Sequence, residues 1–149
     1  MAKREPSLRE RALAMLARRE HTRVEMARKL SPHGESPEQV ERLLDALAAR
    51  GWLSDARFAE SRANTLGRKF GSRMIEHDLR SRGVSAEVVE QTLQRALAQE
   101  LDNCRAAWQR KFGVLPQSAA ERGQQMRFLA GRGFSAEAVR RVLKSGFAD

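Results

Sequence analysis

Leu79-Arg80-Ser81-Arg82-Gly83-Val84-Ser85-Ala86-Glu87-Val88-Val89 occurs, with variations, three times in this chain of 149 residues. Leu79, Gly83, Ser85, Glu87, Val89 and Leu93 answer to Leu129, Gly133, Ser135, Glu137, Val139 and Leu143, and again to Leu30, Gly34, Ser36, Glu38, Val40 and Leu44, with no gap inside the frame. The three serines stand 49 and 50 residues apart, a period that marks an array of small supersecondary units. The leucine closes an apolar helical stripe, and the glycine four residues later supplies the left-handed conformation that ends a helix cheaply. Serine caps the next helix, with Glu in its first turn favoured by the exposed amides and the helix dipole. Ser36-Pro37-Glu38-Gln39 adds Pro at the first helical position and Gln three residues after the cap.

The unit is therefore helix, tight turn, helix, with room upstream for a third. Ser7-Leu8-Arg9-Glu10, Thr22-Arg23-Val24-Glu25 and Ser118-Ala119-Ala120-Glu121 read as further capping boxes. Apolar residues recur at spacings of three and four behind each cap: Leu8, Ala12, Met15 and Leu16; Phe58, Ala59, Ala63 and Leu66; Val88, Val89, Leu93, Ala96 and Leu97; Met126, Leu129 and Ala130. Trp52 and Leu53 are expected to plug the seam between the first two units, and Gly146 to close the last helix. No stretch alternates with period two. The expected fold is all-α: nine helices in three tandem three-helix units, residues 1–53, 54–100 and 101–149, forming an elongated, curved repeat array in which the last helix of the second unit runs on toward the third with only a break near Gln99 to Asp102.

Charged residues make up 32% and apolar ones 41%, a globular balance. No apolar run approaches the roughly 18–20 residues of a membrane span, and the start Met-Ala-Lys-Arg-Glu-Pro lacks a secretion signal's apolar core, so a cytoplasmic location is expected. Cys104 is the only cysteine, which excludes an internal disulfide and a zinc site of paired cysteines. It falls on an apolar stripe with Trp108 and reads as a buried structural thiol. His21, His33 and His77 are scattered at helix ends or on polar faces, without metal-ligand spacing, and read as surface or capping residues. No nucleotide, metalloprotease or nucleophile-elbow motif is present. Gly67-Arg68-Lys69-Phe70-Gly71-Ser72 follows a helix, in the wrong residue order for a phosphate loop, and reads as a turn. No enzyme, cofactor or metal is expected.

The formal net charge is +9 and the isoelectric point about 11.1, which points to a polyanion or an acidic protein surface. Residues 1–53 hold eleven Lys and Arg against eight Asp and Glu, residues 54–102 eight against eight, and residues 103–149 nine against three. The excess thus sits at the two ends, mostly the last. Arg62, Arg68, Lys69, Arg73 and Arg80 surround the first two helices of the middle unit, and Arg127, Arg132, Arg140, Arg141 and Lys144 the final turn and helix. These ten are the candidate partner or nucleic-acid contacts. A capped helix after a turn also describes helix-turn-helix DNA readers, but Val88-Val89-Glu90-Gln91 offers few groups to base edges. Operator reading is not expected; binding to a DNA backbone or a protein surface is.

Asp55-Ala56-Arg57-Phe58-Ala59-Glu60-Ser61, Gly71-Ser72-Arg73-Met74-Ile75, Leu79 and Arg82-Gly83-Val84 together resemble the signature region of the RecX family of bacterial recombinase regulators. Arg50-Gly51-Trp52-Leu53-Ser54 is similar to that family's entry to the same unit. Ser61 and Arg62 stand where the family has aromatic or aliphatic residues. The resemblance implies a helical, non-enzymatic, monomeric protein. It would bind RecA nucleoprotein filaments and restrain their growth, ATP hydrolysis and strand exchange in recombination and DNA repair. The alternative expectation is an autonomous DNA-binding repeat protein acting on single- or double-stranded DNA through phosphate contacts, and a third is a scaffold for some other acidic protein.

Overall fold

The computed structural model describes residues 4–144. The elements are α1 (Leu8–Arg18), α2 (Arg23–Leu30), a single 3-10 turn (Ser31–His33), α3 (Pro37–Ala49), α4 (Asp55–Gly67), α5 (Ser72–Ser81), α6 (Ala86–Lys111), α7 (Ala119–Gly131) and α8 (Ala136–Lys144). There is no strand among the described residues. The predicted caps form, and Ser54 adds one at α4: the side chains of Ser7, Thr22, Ser36, Ser54, Ser85 and Ser118 accept from Glu10, Glu25, Gln39, Arg57, Val88 and Glu121 amides respectively. Ser135 accepts from the Ala138 amide at 3.2 Å. Where the box reciprocates, the bond reaches one residue ahead of the cap: Gln39 Oε1 accepts from the Glu35 amide and Glu121 Oε2 from the Gln117 amide, both at 2.6 Å.

Three apolar cores follow one another along the chain. Ala12, Met26, Leu30, Val40, Leu44, Leu47 and Leu53 fill the first; Phe58, Ala59, Ile75, Leu79, Val84 and Val89 the second; Cys104, Trp108, Leu129, Phe134, Val139, Val142 and Leu143 are central to the third. The repeated leucines and valines of the sequence frame are all in these cores, with Leu93 packed against the second as a half-buried member. The chain of 16.8 kDa exposes 9838 Å² of surface. A single compact globule of that mass would expose about 7,600 Å². Units arranged in a row rather than around one centre account for the excess.

The chain has eight α-helices among the described residues instead of nine, because α6 runs unbroken through Gln99 to Asp102. Nothing between Ala86 and Lys111 is Gly or Pro, and extending an existing helix by one bond per residue is easier than nucleating another. One helix thus ends the second unit and begins the third. Gly83 and Gly133 adopt the expected left-handed conformation, at φ 81° and 89°. Gly34 does not: its φ is −89°, since the 3-10 turn through Pro32 has already ended the helix. There a side chain is excluded by space, for a Cβ would lie 2.8 Å from Val40 Cγ2.

Trp52 does not plug a seam. Gly51, at φ 75°, folds the chain back so that the Trp52 and Leu53 amides both donate to the Leu47 carbonyl. Leu53 is thereby turned into the first core, while Trp52 stays 42% exposed, with the Arg9 and Arg50 guanidinium groups 5.6 and 5.2 Å from its ring centre. Leu97, Met126 and Ala130 also face outward. The inward line of α6 passes through Ala96 and Glu100, and Gln125 takes the place expected of Met126 because the buried Trp108 indole needs an acceptor; its Nε1 donates to Gln125 Oε1 at 2.8 Å. His21 is buried between α1 and α2 and so is not a surface residue, but it does sit at a helix end, its Nδ1 2.9 Å from the carbonyl of Arg19, the C-cap of α1; His33 and His77 are on the surface. Cys104 is fully buried, and burial followed by the nearby Glu100 pushes its thiol up to about 12, the state of an inert structural group. The expected closure at Gly146 lies outside the described residues.

Candidate functional site

The site grows out of the way successive units dock. At the first seam the N-terminus of α2 meets the α5–α6 turn: Thr22 Oγ1 donates to the Arg82 carbonyl at 3.3 Å, and Gly83 sits against Val24. At the second seam the N-terminus of α5 meets the α7–α8 turn in the same manner, the Gly71 amide donating to the Arg132 carbonyl at 2.9 Å and the Arg73 amide to the Gly133 carbonyl at 3.1 Å. Gly71 has no side chain to cap α5. Glu100, reaching in from α6, supplies the missing acceptor. Its Oε1 accepts from Ser72 N at 3.0 Å, Ser72 Oγ at 2.9 Å and Ser135 N at 3.2 Å, so one buried carboxylate holds the first turns of α5 and α8 together. Its negative charge is placed at two helix N-termini, where the backbone dipoles favour it.

With the second and third units locked this way, the end of α4, the last turns of α6 and the end of α7 enclose a cleft of about 200 Å³ lined by Lys69, Ala107, Arg110, Lys111, Phe128 and Arg132. Four cations and no carboxylate line it. Three of them are held by a carbonyl or by rings instead. Arg110 donates to the Arg68 carbonyl. The Arg132 guanidinium lies 5.2 Å from the Phe70 ring centre and 5.0 Å from that of Phe128, and Lys111 Nζ lies 5.4 Å from Phe128. Phe112 fixes Phe128 edge to face, with centres 5.4 Å apart. Cation–π contacts orient these groups without neutralising them, so the cleft keeps a concentrated positive potential suited to phosphate or carboxylate oxygens. Among the described residues no His, Cys, Asp and Glu group could hold a metal ion.

Of the ten residues singled out in the sequence, Lys69 and Arg132 enter this cleft, and Arg68 borders it through its carbonyl. Arg62 instead holds the fold together, its guanidinium donating twice to Asp78, at 2.8 and 3.0 Å, beside Arg82 at 3.0 Å. The bond from Arg62, then that from Arg82, holds the Asp78 carboxyl below its ordinary value. Arg80 pairs with Glu76 one turn earlier at 3.0 Å. Arg73 and Arg127 are exposed on α5 and α7, and Arg140, Arg141 and Lys144 share the exposed face of α8. Arg110 and Lys111 were missed. Only the unbroken run of α6 to Lys111 brings them opposite Lys69.

Family models described as the first, second and third three-helix domains of RecX match residues 9–47, 54–93 and 98–143. The chain belongs to the RecX family. The chain is 44% identical to the regulatory protein RecX of Chromobacterium violaceum over 149 residues, covering all of this chain and 97% of that one. With the RecX of Leptothrix cholodnii it shares 44% over 138 residues, covering 93% and 88%. The crystal structure of RecX from Lactobacillus salivarius superposes with a TM-score of 0.79 over 93% of both chains at 17% identity, which shows the shared RecX fold. In RecX terms the cleft lies where the second and third domains meet, and Glu100 is the residue that closes that meeting.

Proposed function

We propose that this RecX-family protein acts in the cytoplasm as a non-enzymatic regulator that binds RecA nucleoprotein filaments and restrains their growth, ATP hydrolysis and strand exchange. The observation that carries the reading is the carboxylate-free cleft of Lys69, Arg110, Lys111 and Arg132, built across two units of a repeat array. A row of linked units, residues 1–53, 54–100 and 101–149, presents an extended surface. Such a surface makes several weak contacts in parallel, each about 1 kcal/mol or less when exposed, and their linkage raises the total affinity. Arg140, Arg141 and Lys144 on α8 form the second contact patch in this proposal, and Arg68, Arg73 and Arg127 its margin.

The test is ATP turnover by RecA on single-stranded DNA. Saturating protein is expected to slow it, and unchanged turnover removes the reading. Arg110→Glu combined with Lys111→Glu is expected to raise the concentration needed by about tenfold or more at physiological salt, with helicity by circular dichroism unchanged. Undiminished potency of that variant places the contact surface elsewhere.

A further inference from the structure

A second cavity, of about 330 Å³, opens between α4 and α6 on the other side of the Gly67-Arg68-Lys69 turn. This lies at the lower end of the roughly 300–1,000 Å³ range of small-ligand sites. Asn64, Gln99 and Asn103 line it with carboxamides whose side chains make no hydrogen bond to another described residue. Ala63 and Ala96 give it apolar walls, and Gly67 keeps it open: a Cβ there would come within 3.1 Å of the Asn103 amide nitrogen. At its mouth Arg95 and Glu60 stand 3.9 Å apart.

We infer that this cavity receives an unpaired nucleobase of a single-stranded nucleic acid whose phosphates run into the adjoining basic cleft. Carboxamides present a donor and an acceptor side by side, the complement of a base edge, and a carboxylate accepts from an exocyclic amine. The apolar walls fit the faces of the ring. Glu60 offsets Arg95 at the mouth and leaves Arg68 as the one further cation in the lining, so the cavity draws a phosphate less than the cleft next to it, whose four cations face no carboxylate. Asn103 and Arg110 are seven residues apart on one helix, close to two full turns, so they share a face about 10 Å apart. A base in one hollow and a backbone phosphate in the other span that kind of distance within one or two nucleotides. A neutral peptide would satisfy the carboxamides through its main chain but gives no reason for the neighbouring cluster of cations, and an acidic one is the outcome that polyglutamate competition reveals.

The inference deepens the proposed function by naming the part of the filament this site takes, and it is tested without RecA, so that its failure leaves that reading standing. Fluorescence anisotropy of a labelled single-stranded DNA of about 12 nucleotides is compared with the same backbone lacking its bases, at about 50 mM salt. The abasic strand is expected to bind about fivefold or more weakly, as the loss of one net hydrogen bond to the base edge gives. Gln99→Ala with Asn103→Ala, both on a helix that tolerates alanine, should erase that gap and leave abasic binding unchanged. Arg110→Glu with Lys111→Glu should weaken both strands alike and flatten the salt slope. Equal binding of the two strands, no binding of either, or a gap that survives the double alanine variant overturns the inference, as does competition by polyglutamate that matches DNA charge for charge.

Discussion

The two seams of this molecule are built on one plan and finished differently. In each, an arginine carbonyl in the turn of one unit, Arg82 or Arg132, accepts from the residue capping the second helix of the unit before, and a glycine, Gly83 or Gly133, lies flat against that helix's first turn. A carboxylate then takes the first helical amide: Asp55, from the next unit, accepts from Arg23 N at 2.8 Å in the first seam, and Glu100, from the helix that the two units share, accepts from Ser72 N in the second. The first seam relies on side chains. Thr22 caps its own helix as well as bonding across, Asp55 is half-buried, and Arg57 reaches Glu20 at 2.9 Å near the surface. The second has backbone-to-backbone bonds, a buried Glu100 and an unbroken helix passing through it. Repeated sequence thus fixes where units touch, and the connection between them sets how firmly. The cleft belongs to the firm seam, as a site that must hold four like charges together requires.

That contrast can be broken most forcefully at Gly71. A methyl group there would lie 2.4 Å from Phe134 Cα and 2.5 Å from the Gly133 carbonyl oxygen, backbone atoms that cannot step aside. Gly71→Ala is expected to destabilise the chain by about 3 kcal/mol, at the upper end of overpacking costs, measured by urea unfolding. A loss below half of that would mean the second seam is no tighter than the first. Glu100→Ala leaves the half-buried Ser72 and Ser135 amides without their acceptor, and a loss of about 2 kcal/mol is expected. The matching Asp55→Ala, at the looser seam, should cost about 1 kcal/mol, as for a helix cap. Equal losses from the two would erase the distinction.

The smallest effect belongs to acid. Glu25, beside the first seam, has its carboxyl lowered from 4.5 to about 2, chiefly by the bond from Arg19 at 2.8 Å. Because the folded value lies below the unfolded one, this contribution is complete above about pH 5 and fades as the pH falls toward the folded value. Arg19 is half exposed, so solvent screening holds the effect to about 1 kcal/mol. Unfolding measured at pH 5 and near pH 2 should lose that increment in the parent chain and keep a flatter profile in Glu25→Gln; the same slope in both would exclude the pair as its source.

Most of the helical boundaries were legible because their causes are local. A serine or threonine three residues before a free amide caps it wherever the rest of the chain lies, and a leucine at the right spacing enters whichever core forms. Legibility fell where a residue answers to something distant in sequence. Arg62 looked like a solvent-facing contact because Asp78, its partner, stands sixteen positions on. Glu100 carried no signal at all: an acidic residue beside Gln99, Asp102 and Asn103 gives no sign that two helix ends converge on it. Arg110 and Lys111 looked like the ordinary basic end of a helix.

The amino-acid sequence by itself determined the all-α character, the threefold frame and the identity of the buried leucines, since helix capping, glycine turns and apolar spacing act within a few residues. Only the tertiary structure decided that α6 is one helix serving two units, that Glu100 closes their junction, and that Lys69, Arg110, Lys111 and Arg132 meet. Those outcomes depend on burial and on electrostatic and hydrogen-bonding partners brought together from separate helices, and no local spacing encodes them.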